Sequence, residues 1–167
     1  MKLDTRCLSE GEPLVFRHSL DLSGLLFSGQ RVFSVPIDIE GSLEGRANGL
    51  ILKGTYRTVL SLVCDRCALL FSREHSGCLE AVLQDDPPQQ DREDIVLLQN
   101  GVCDLDEIFT PAIILSLDTK NLCKPDCRGI CVSCGQDLNR QSCICGPRPT
   151  DPRLEALRRL LQDGGDA

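Results

Sequence analysis

The sequence predicts an α+β protein in which an antiparallel β-sheet with one buried helix precedes a cysteine-rich segment and a C-terminal amphipathic helix. Three observations lead to this fold class. Apolar and polar residues alternate through most of residues 1–84, which is the pattern of half-buried strands. One strong helix-start signal follows at Asp104, and six cysteines crowd between Cys123 and Cys145. We therefore expect two parts, a sheet-and-helix domain at 1–119 and a cysteine-rich tail at 120–167.

The predicted strands fall in four segments of the first half. Val15, Arg17 and Ser19 belong to the first segment, and the alternation continues in residues 32–40, 55–63 and 69–83. Glycines occur at short intervals, and we expect them to break the chain between strands: Gly41, Gly45, Gly49 and Gly54. Cys64-Asp-Arg-Cys67 joins the last two segments, so a CxxC pair is predicted at the tip of a hairpin.

An acidic segment follows the predicted strands. Residues 85–94 contain two prolines and five carboxylates but no apolar side chain, so we expect a solvated loop. A run of this kind is more often a solvated face than a partner-binding surface. After it, Ile95–Leu98 can pair as a short strand.

The first predicted helix covers Leu105–Leu117. Asp104 is a suitable N-cap and Glu107 stands three residues later, as in a capping box. The apolar residues that follow predict a helix that is largely buried. Pro111 is tolerable in this helix only near its first turn, because proline lacks the N–H group that a helix interior uses.

The second predicted helix is the C-terminal amphipathic one. Thr150 or Asp151 caps it, Pro152 takes the first helical position, and one stripe is apolar: Leu154, Leu157, Leu160 and Leu161. The stripe can pack onto the body of the protein or dock a partner, and the sequence leaves both interpretations open.

Composition and charge exclude several classes of protein. The apolar fraction of 41% is sufficient for a real core, and 25 acidic against 18 basic side chains give a formal charge of −7. This balance argues against a surface that simply coats nucleic acid, and 4% aromatic residues argue against a base-stacking platform. No stretch approaches the roughly 20 apolar residues that span a bilayer, and no signal peptide is visible. We expect a cytoplasmic protein that binds no membrane.

Eleven cysteines are far more than a chain of this length usually carries. Their clustering, together with the absence of an export signal, favours metal ligands over disulfides. The candidate ligands are Cys64, Cys67, Cys123, Cys127, Cys131, Cys134, Cys143 and Cys145. For Cys7, Cys78 and Cys103 we expect small buried apolar residues.

The spacing of the eight candidates favours two four-thiolate zinc sites. Cys131-x-x-Cys134-Gly135 is typical of a zinc knuckle, and Cys143-x-Cys145 supplies a second close pair. The other four cysteines would then form a second site that links the hairpin to the segment after the first helix. Four thiolates leave zinc no open coordination position, so both sites would be structural. An iron–sulfur centre is the alternative that the spacing leaves open.

The charges are distributed unevenly along the chain. Residues 1–119 hold ten basic and nineteen acidic side chains, whereas residues 120–159 hold eight basic and four acidic ones. A basic tail on an acidic body is a plausible surface for phosphate or partner contacts. The candidate contact residues are Lys124, Arg128, Arg140, Arg148, Arg158 and Arg159.

Signals for catalysis are weak. The two histidines, His18 and His75, lie outside any metal-ligand motif, so structural or exposed roles are expected for both. The sequence contains neither a GxxxxGK[ST] phosphate loop nor a GxSxG elbow. We expect no enzymatic turnover and no small-molecule substrate.

With these residues in view, the chain resembles the YceD-like family, the large ribosomal RNA subunit accumulation proteins. Leu60-Ser-Leu-Val-Cys64-Asp-Arg-Cys67 is similar to the family's CxRC signature, and the segment that begins at Asp104 is similar to its helix. The block from Leu122 to Asn139 is similar to the family's cysteine-rich block, with Asp-Pro-Arg-Leu behind it. The resemblance covers roughly residues 55–162.

The resemblance implies a non-enzymatic factor for the accumulation of 23S ribosomal RNA and large-subunit assembly. Its partner would be pre-ribosomal RNA or a large-subunit ribosomal protein. Some relatives keep the CxRC pair but lack most of the second cysteine block, which favours a metal site that joins Cys64 and Cys67 to groups near Cys123. Two alternative functions are a zinc–thiolate redox switch and a zinc-stabilised protein-interaction module.

Overall fold

We describe the fold from a computed structural model that covers residues 1–8, 12–46, 49–84, 95–98, 100–146 and 153. The predicted acidic loop at 85–94 and the predicted C-terminal helix lie outside the described residues. The chain divides into two compact units. The first comprises Met1–Cys64 and Leu69–Cys123, and the second joins Asp65–Ala68 to the chain from Lys124 onward. The predicted boundary between residues 119 and 120 stays a prediction.

Seven strands, one α-helix and a short 3-10 helix at Thr5–Cys7 make up the regular structure of the described residues, all of them in the first unit. The elements are β1 (Lys2–Asp4), β2 (Leu14–Leu20), β3 (Ile37–Arg46), β4 (Gly49–Val63), β5 (Leu70–Gln84), β6 (Ile95–Leu97), β7 (Val102–Asp104) and α1 (Leu105–Leu115). The prediction of a sheet combined with one helix is confirmed in this part of the chain.

The main sheet has five strands in the order β2-β3-β4-β5-β6. Strands β2 to β5 pair antiparallel, as predicted, but β6 runs parallel to β5 and faces only its last three residues, Val82–Gln84. A separate two-stranded sheet pairs β1 with β7. The short strand predicted at 95–98 is confirmed as β6, but its parallel pairing was not predicted. The β1–β7 pair was not predicted either, because it joins segments that are distant in sequence.

Two predictions about strand boundaries are wrong. The segment predicted at 32–40 forms a strand only from Ile37, directly after Pro36, which has no N–H group to give to a sheet. Three of the four glycines do not break the chain, since Gly41 and Gly45 lie inside β3 and Gly54 inside β4. Gly49, with a φ of 132°, does lie at a strand boundary, because it begins β4 opposite the last residue of β3. Gly41 and Gly54 make close contacts. These two face each other across the β3–β4 pair, and a Cβ at Gly54 would lie 2.5 Å from the Phe109 ring. Glycine is therefore needed for close packing here.

The core lies between one face of the main sheet and α1. Alternate residues of β4 from Leu52 to Leu62 are buried, while their neighbours between Lys53 and Val59 are exposed, as expected for a sheet covered on one side. Helix α1 buries four side chains in this core: Leu105, Ile108, Phe109 and Ile113.

The start of α1 is as predicted, but its interior is not. The Asp104 carboxylate accepts a hydrogen bond from the Asp106 N–H at 3.1 Å, which confirms the N-cap. The helix ends at Leu115, two residues before the predicted end. Pro111 is the seventh helical residue and lies beyond the first turn, where its exposed position leaves the missing hydrogen bond on the solvent side. Leu115 is 85% exposed, so only one face of the helix is buried.

No helix in the described part of the chain combines the length and the apolar character that crossing a membrane requires.

Candidate metal centres

The first cysteine cluster contains Cys64, Cys67, Cys123 and Cys127. Their four sulfur atoms all lie within 4.8 Å of one another. A tetrahedral zinc ion with Zn–S bonds of about 2.3 Å separates its sulfur ligands by about 3.8 Å, so the cluster has the dimensions of such a site. Cys64 and Cys127 are buried, and the other two are half-buried.

The β4–β5 hairpin places Cys64 and Cys67 in this cluster. The last strand pair is Val63 with Leu70, so residues 64–69 form the connection. The Cys64 N–H donates to the Leu69 carbonyl oxygen at 2.9 Å, and Ala68 adopts a φ of 57° that reverses the chain. The predicted CxxC pair at a hairpin connection is therefore observed.

Arg66, between the two cysteines, has a structural role that the sequence did not indicate. Its guanidinium Nη1 donates to the Cys127 carbonyl oxygen at 2.7 Å. Its own carbonyl oxygen accepts a hydrogen bond from the Ile130 N–H at 3.1 Å. Gly129, with a φ of 76°, allows this approach, because a Cβ there would lie 2.9 Å from the Arg66 oxygen. Arg66 thus orders the backbone around Cys127.

Asn139 is a second residue that sequence reasoning missed. Its Nδ2 donates to the Cys127 sulfur at 3.5 Å and to the Asp137 carboxylate at 2.8 Å, and its Oδ1 accepts from the Arg128 N–H at 2.8 Å. The hydrogen bonds from the Asn139 backbone and side chain lower the pKa of Asp137. Such a donor orients a thiolate ligand and stabilises its charge. The available sequence signal was Asp137-Leu-Asn139, a pattern typical of a side-chain-capped turn.

The second cysteine cluster contains Cys131, Cys134, Cys143 and Cys145, whose sulfur atoms also lie within 4.8 Å of one another. The predicted knuckle forms here: Gly135 has a φ of 73°, and its N–H donates to the Cys131 carbonyl oxygen at 2.8 Å. Hydrogen bonds from the backbone N–H groups of Cys134 and Ser133 lower the pKa of Cys131 to about 6. This geometry is typical of a metal-binding knuckle.

Crowding of the sulfur atoms affects the other members of this cluster. The hydrogen bond with the Cys134 side chain is the main reason that the pKa of Cys145 rises to about 12, and the nearby negative charges act in the same direction. A bound cation would offset the repulsion between the negatively charged sulfur atoms, because it attracts all four thiolates. In the part of the chain that the structure describes, neither cluster contains a histidine or a carboxylate. Two clusters that can each hold a metal ion are therefore present.

The three remaining cysteines differ from one another. Cys103 is fully buried, and this burial raises its pKa to about 11, in agreement with the predicted small apolar role. The same prediction is wrong for Cys78, which is exposed. Cys78 lies opposite Thr55 on the sheet face that α1 does not cover, so the alternation of β5 turns it to solvent. The side chain of Cys7 lies outside the described residues.

Half of the predicted basic contact residues lie in the described part of the second unit. Lys124, Arg128 and Arg140 are exposed there. Lys124 is 3.9 Å from the Asp126 carboxylate, and Arg140 is 3.5 Å from Asp137. The other three candidates, Arg148, Arg158 and Arg159, lie outside the described residues.

Both histidines have hydrogen-bond partners in the first unit. His18 Nε2 is 2.5 Å from the Asp106 carboxylate, and His75 Nε2 is 2.9 Å from the Ser116 hydroxyl oxygen. The Ser116 hydroxyl donates its hydrogen to the Ile113 carbonyl oxygen at 2.7 Å and accepts from Tyr56 at 2.7 Å.

The fold and its two clusters define a class: a β-sheet protein with two all-cysteine sites suited to metal. Comparison with models of known protein families identifies the family within this class. A family model described as "Large ribosomal RNA subunit accumulation protein YceD" matches residues 52–161, a range that includes all eight clustered cysteines. The chain belongs to this family, as the resemblance of its motifs predicted.

Two curated relatives are similar to the chain, and both are described as "Large ribosomal RNA subunit accumulation protein YCED homolog 1, chloroplastic". The Zea mays protein is 27% identical over 145 residues, which are 68% of this chain and 50% of the relative. The Arabidopsis thaliana protein is 21% identical over 157 residues, 76% of this chain and 49% of the relative. The chain thus spans about half the length of these relatives. No solved structure matches it significantly.

Proposed function

We propose that this chain is a non-enzymatic ribosome biogenesis factor that promotes 23S rRNA accumulation and large-subunit assembly by binding rRNA or a large-subunit ribosomal protein. The observation that carries the proposal is the family match over residues 52–161. That match spans the β4–β5 hairpin, α1 and both cysteine clusters, so it covers the parts of the structure in which the candidate sites lie. The same proposal places the protein in the cytoplasm.

Two structural zinc ions are part of this proposal. Cys64, Cys67, Cys123 and Cys127 would hold one, and Cys131, Cys134, Cys143 and Cys145 the other. Bound zinc would supply a closed cross-link without a reactive position, because four thiolates complete its coordination. The fit of the sulfur spacing to a tetrahedral site supports this assignment.

The second unit gives independent support for structural metal. Within its described residues, 65–68 and 124–146, only Cys127 and Gly129 are buried, and neither brings a large apolar side chain. Among the residues that the structure describes, the apolar core cluster lies in the first unit. A segment without an apolar core needs another source of stability, and a structural zinc site contributes roughly 10–16 kcal/mol of apparent binding free energy.

Metal analysis tests this part of the proposal. The purified protein should contain two equivalents of zinc, and Cys64→Ser and Cys134→Ser should each lower the content to about one. Cys78→Ser is the matched control, since Cys78 is exposed and belongs to neither cluster, and it should leave both equivalents in place. A protein with one equivalent, or with iron and sulfide in place of zinc, would refute the assignment.

Binding to rRNA is the first partner to test. Affinity of the purified protein for 23S rRNA fragments should fall log-linearly with salt, because contacts to phosphates release counterions. Replacing Lys124, Arg128 and Arg140 with alanine should lower the salt slope by about one for each lost phosphate contact. The same result is expected for Arg158→Ala with Arg159→Ala.

Arg17→Ala is the control for these variants. Arg17 is 81% exposed on the outer sheet face and should not change the slope. Salt-independent binding to a large-subunit ribosomal protein would instead show that the partner is this protein and not rRNA. Binding to neither class would contradict the proposed function.

A redox switch is a second candidate, and exposure of the second cluster favours it. Cys134 and Cys145 are exposed, so an oxidant can reach these sulfurs. Peroxide treatment of the metal-loaded protein should then release one zinc ion and change partner binding at the same dose. Zinc release without any change in binding would refute the switch and leave the biogenesis proposal unaffected.

A further inference from the structure

The first cluster joins two residues of the first unit that are far apart in sequence. Cys64 directly follows β4, and Cys123 follows the segment that leaves α1 at Ser116. Their sulfur atoms nevertheless lie within 4.8 Å of each other. The β4–β5 hairpin accounts for the position of Cys64. The position of Cys123 needs a separate cause, because residues 118–123 belong to neither a helix nor a strand.

Two polar side chains lie on the core face of β5. Arg73 and His75 are half-buried there, whereas Glu74 between them is exposed. Side chains of a strand alternate between its two faces, so Arg73 and His75 share one face. Phe71 lies on the same face and packs against the apolar core. Polar groups beside a core need hydrogen-bond partners, and both of these side chains find them on the chain after α1.

His75 and Tyr56 hold the end of α1. His75 Nε2 lies 2.9 Å from the Ser116 hydroxyl oxygen, and the Tyr56 hydroxyl donates to the same oxygen at 2.7 Å. Ser116 is the C-cap of the helix. These contacts fix the residue that directly follows α1 to β5 at residue 75.

Arg73 holds the segment that comes next. Its Nη2 lies 2.9 Å from the Asp118 carboxylate and donates to the Asn121 Oδ1 at 3.1 Å. This guanidinium nitrogen carries two hydrogens, so it can serve both oxygens. The Arg73 side chain is 35% exposed, so solvent weakens its charge attraction to Asp118. The geometric effect is the larger one, because residues 118 and 121 are both fixed to one point of β5.

The order of these contacts gives the direction of the chain. Residue 116 meets residue 75, and residues 118 and 121 meet residue 73, so the segment after α1 runs along β5 toward Leu70. Leu70 begins β5 and pairs with Val63, directly before Cys64. The path from residue 75 to residue 70 is about 17 Å long at about 3.3 Å per residue. Arg73 therefore holds the chain on its way from the helix to the cluster.

We propose that Arg73 is a positioning residue for the first metal site. By holding residues 118 and 121, it directs the chain so that the Cys123 sulfur lies beside the Cys64 sulfur before metal binds. A segment without these contacts would lose more conformational entropy when metal binds, and this cost would lower the affinity for metal. The inference rests on the zinc proposed for the first cluster and adds to that site a residue outside the cluster.

The test measures zinc affinity at the first cluster alone, in a full-length parent chain whose second site is removed by Cys131→Ser and Cys134→Ser. Competition with a chromophoric chelator gives the dissociation constant. Arg73→Ala should weaken zinc binding about tenfold, the lower end of the effects of groups that orient metal ligands. Arg73→Lys should restore part of the loss, because an ammonium group can donate to the same oxygens. Arg57→Ala is the matched control, since Arg57 is exposed on the outer face of β4.

Two further measurements separate positioning from a general loss of stability. Asn121→Ala should weaken zinc binding in the parent chain and add little to Arg73→Ala, because both substitutions remove the same contact. Amide exchange in β3 should stay slow in Arg73→Ala, because the core of the sheet does not depend on this contact.

Unchanged zinc affinity in Arg73→Ala would overturn the proposal. So would an equal loss in Arg57→Ala, additive losses of Arg73→Ala and Asn121→Ala, or fast exchange in β3 of Arg73→Ala. In each of these cases the parent chain still binds zinc, and the proposed function stands. A parent chain that holds no zinc at the first cluster would refute both the zinc assignment and this inference.

Discussion

At the scale of single residues, Gly54 determines how closely α1 approaches the sheet. Gly54 lies inside β4 opposite Gly41, and the fully buried Phe109 ring occupies the space that a side chain at residue 54 would need. A glycine in a strand costs backbone entropy. The packing of Phe109 offsets that cost, which explains why the two glycines lie within strands and not between them.

Gly54→Ala should lower the free energy of unfolding by about 1–3 kcal/mol, because the new Cβ would lie 2.5 Å from the Phe109 ring, which is buried and cannot move away. Urea unfolding followed by circular dichroism measures the change. Gly24→Ala is the control, since a Cβ there meets no atom within 4 Å. Equal effects of the two substitutions would show that backbone entropy, and not packing, governs residue 54.

Asn139 is the residue whose side chain connects the turn at Asp137 to a candidate metal ligand. Asn139→Ala removes its hydrogen bond to the Cys127 sulfur and should weaken zinc at the first cluster about 10–100-fold. Competition with a chromophoric chelator measures this affinity.

The second cluster provides an internal reference for Asn139→Ala, because its zinc affinity should not change. Gln141→Ala, at an exposed residue two positions away, is the control variant and should leave both sites unchanged. Equal weakening of both sites would mean that Asn139 stabilises the unit as a whole and not Cys127.

At the scale of elements, α1 combines a strong start with an unusual interior. The Asp104 cap and the buried apolar face account for its position on the sheet. Pro111 removes one helical hydrogen bond from the second turn, and its ring crowds the preceding turn. Tertiary packing of Phe109 and Ile113 therefore holds a helix that its local sequence disfavours.

Pro111→Ala should raise the free energy of unfolding by about 1–2 kcal/mol. Alanine restores the missing N–H and fits a helix interior far better than proline, while the more flexible unfolded chain removes part of the gain. Chemical denaturation checks the value, and Pro36→Ala, in the segment before β3, should give no such increase. A loss of stability on Pro111→Ala would show that contacts of the proline ring outweigh the helix effect.

At the scale of the whole molecule, the two units differ in what can stabilise them. Among the described residues, the apolar core cluster lies in the first unit, whereas only Cys127 and Gly129 are buried in the second. Metal is therefore expected to be necessary for the second unit and not for the first.

Removing metal with a strong chelator should abolish slow amide exchange in residues 127–138 and leave exchange in β3 and β4 protected. The reason is that the hydrogen bonds around the knuckles lack an apolar core beneath them. Heteronuclear NMR follows both regions in one sample, and restoring zinc is the control for reversibility. Loss of protection throughout the sheet, or no loss anywhere, would contradict this division of stability.

The sequence by itself determined the features that depend on neighbours along the chain. Alternation predicted β2, β4 and β5, Asp104 predicted the start of α1, and the cysteine spacing predicted two sets of four ligands. Such features follow from backbone periodicity, side-chain capping and short turns, which act over a few residues. The sulfur positions agree with the predicted sets, although metal binding itself stays a prediction.

Only the tertiary structure decided the features that depend on residues distant in sequence. It placed β6 parallel to β5, put Gly54 beneath Phe109, turned Cys78 to solvent and brought Asn139 to Cys127. The β5–β6 pairing and the Gly54–Phe109 contact have no local signal, because each exists only after the strands and the helix have packed. Packing of the core therefore sets the contacts that the periodicity of the chain leaves open.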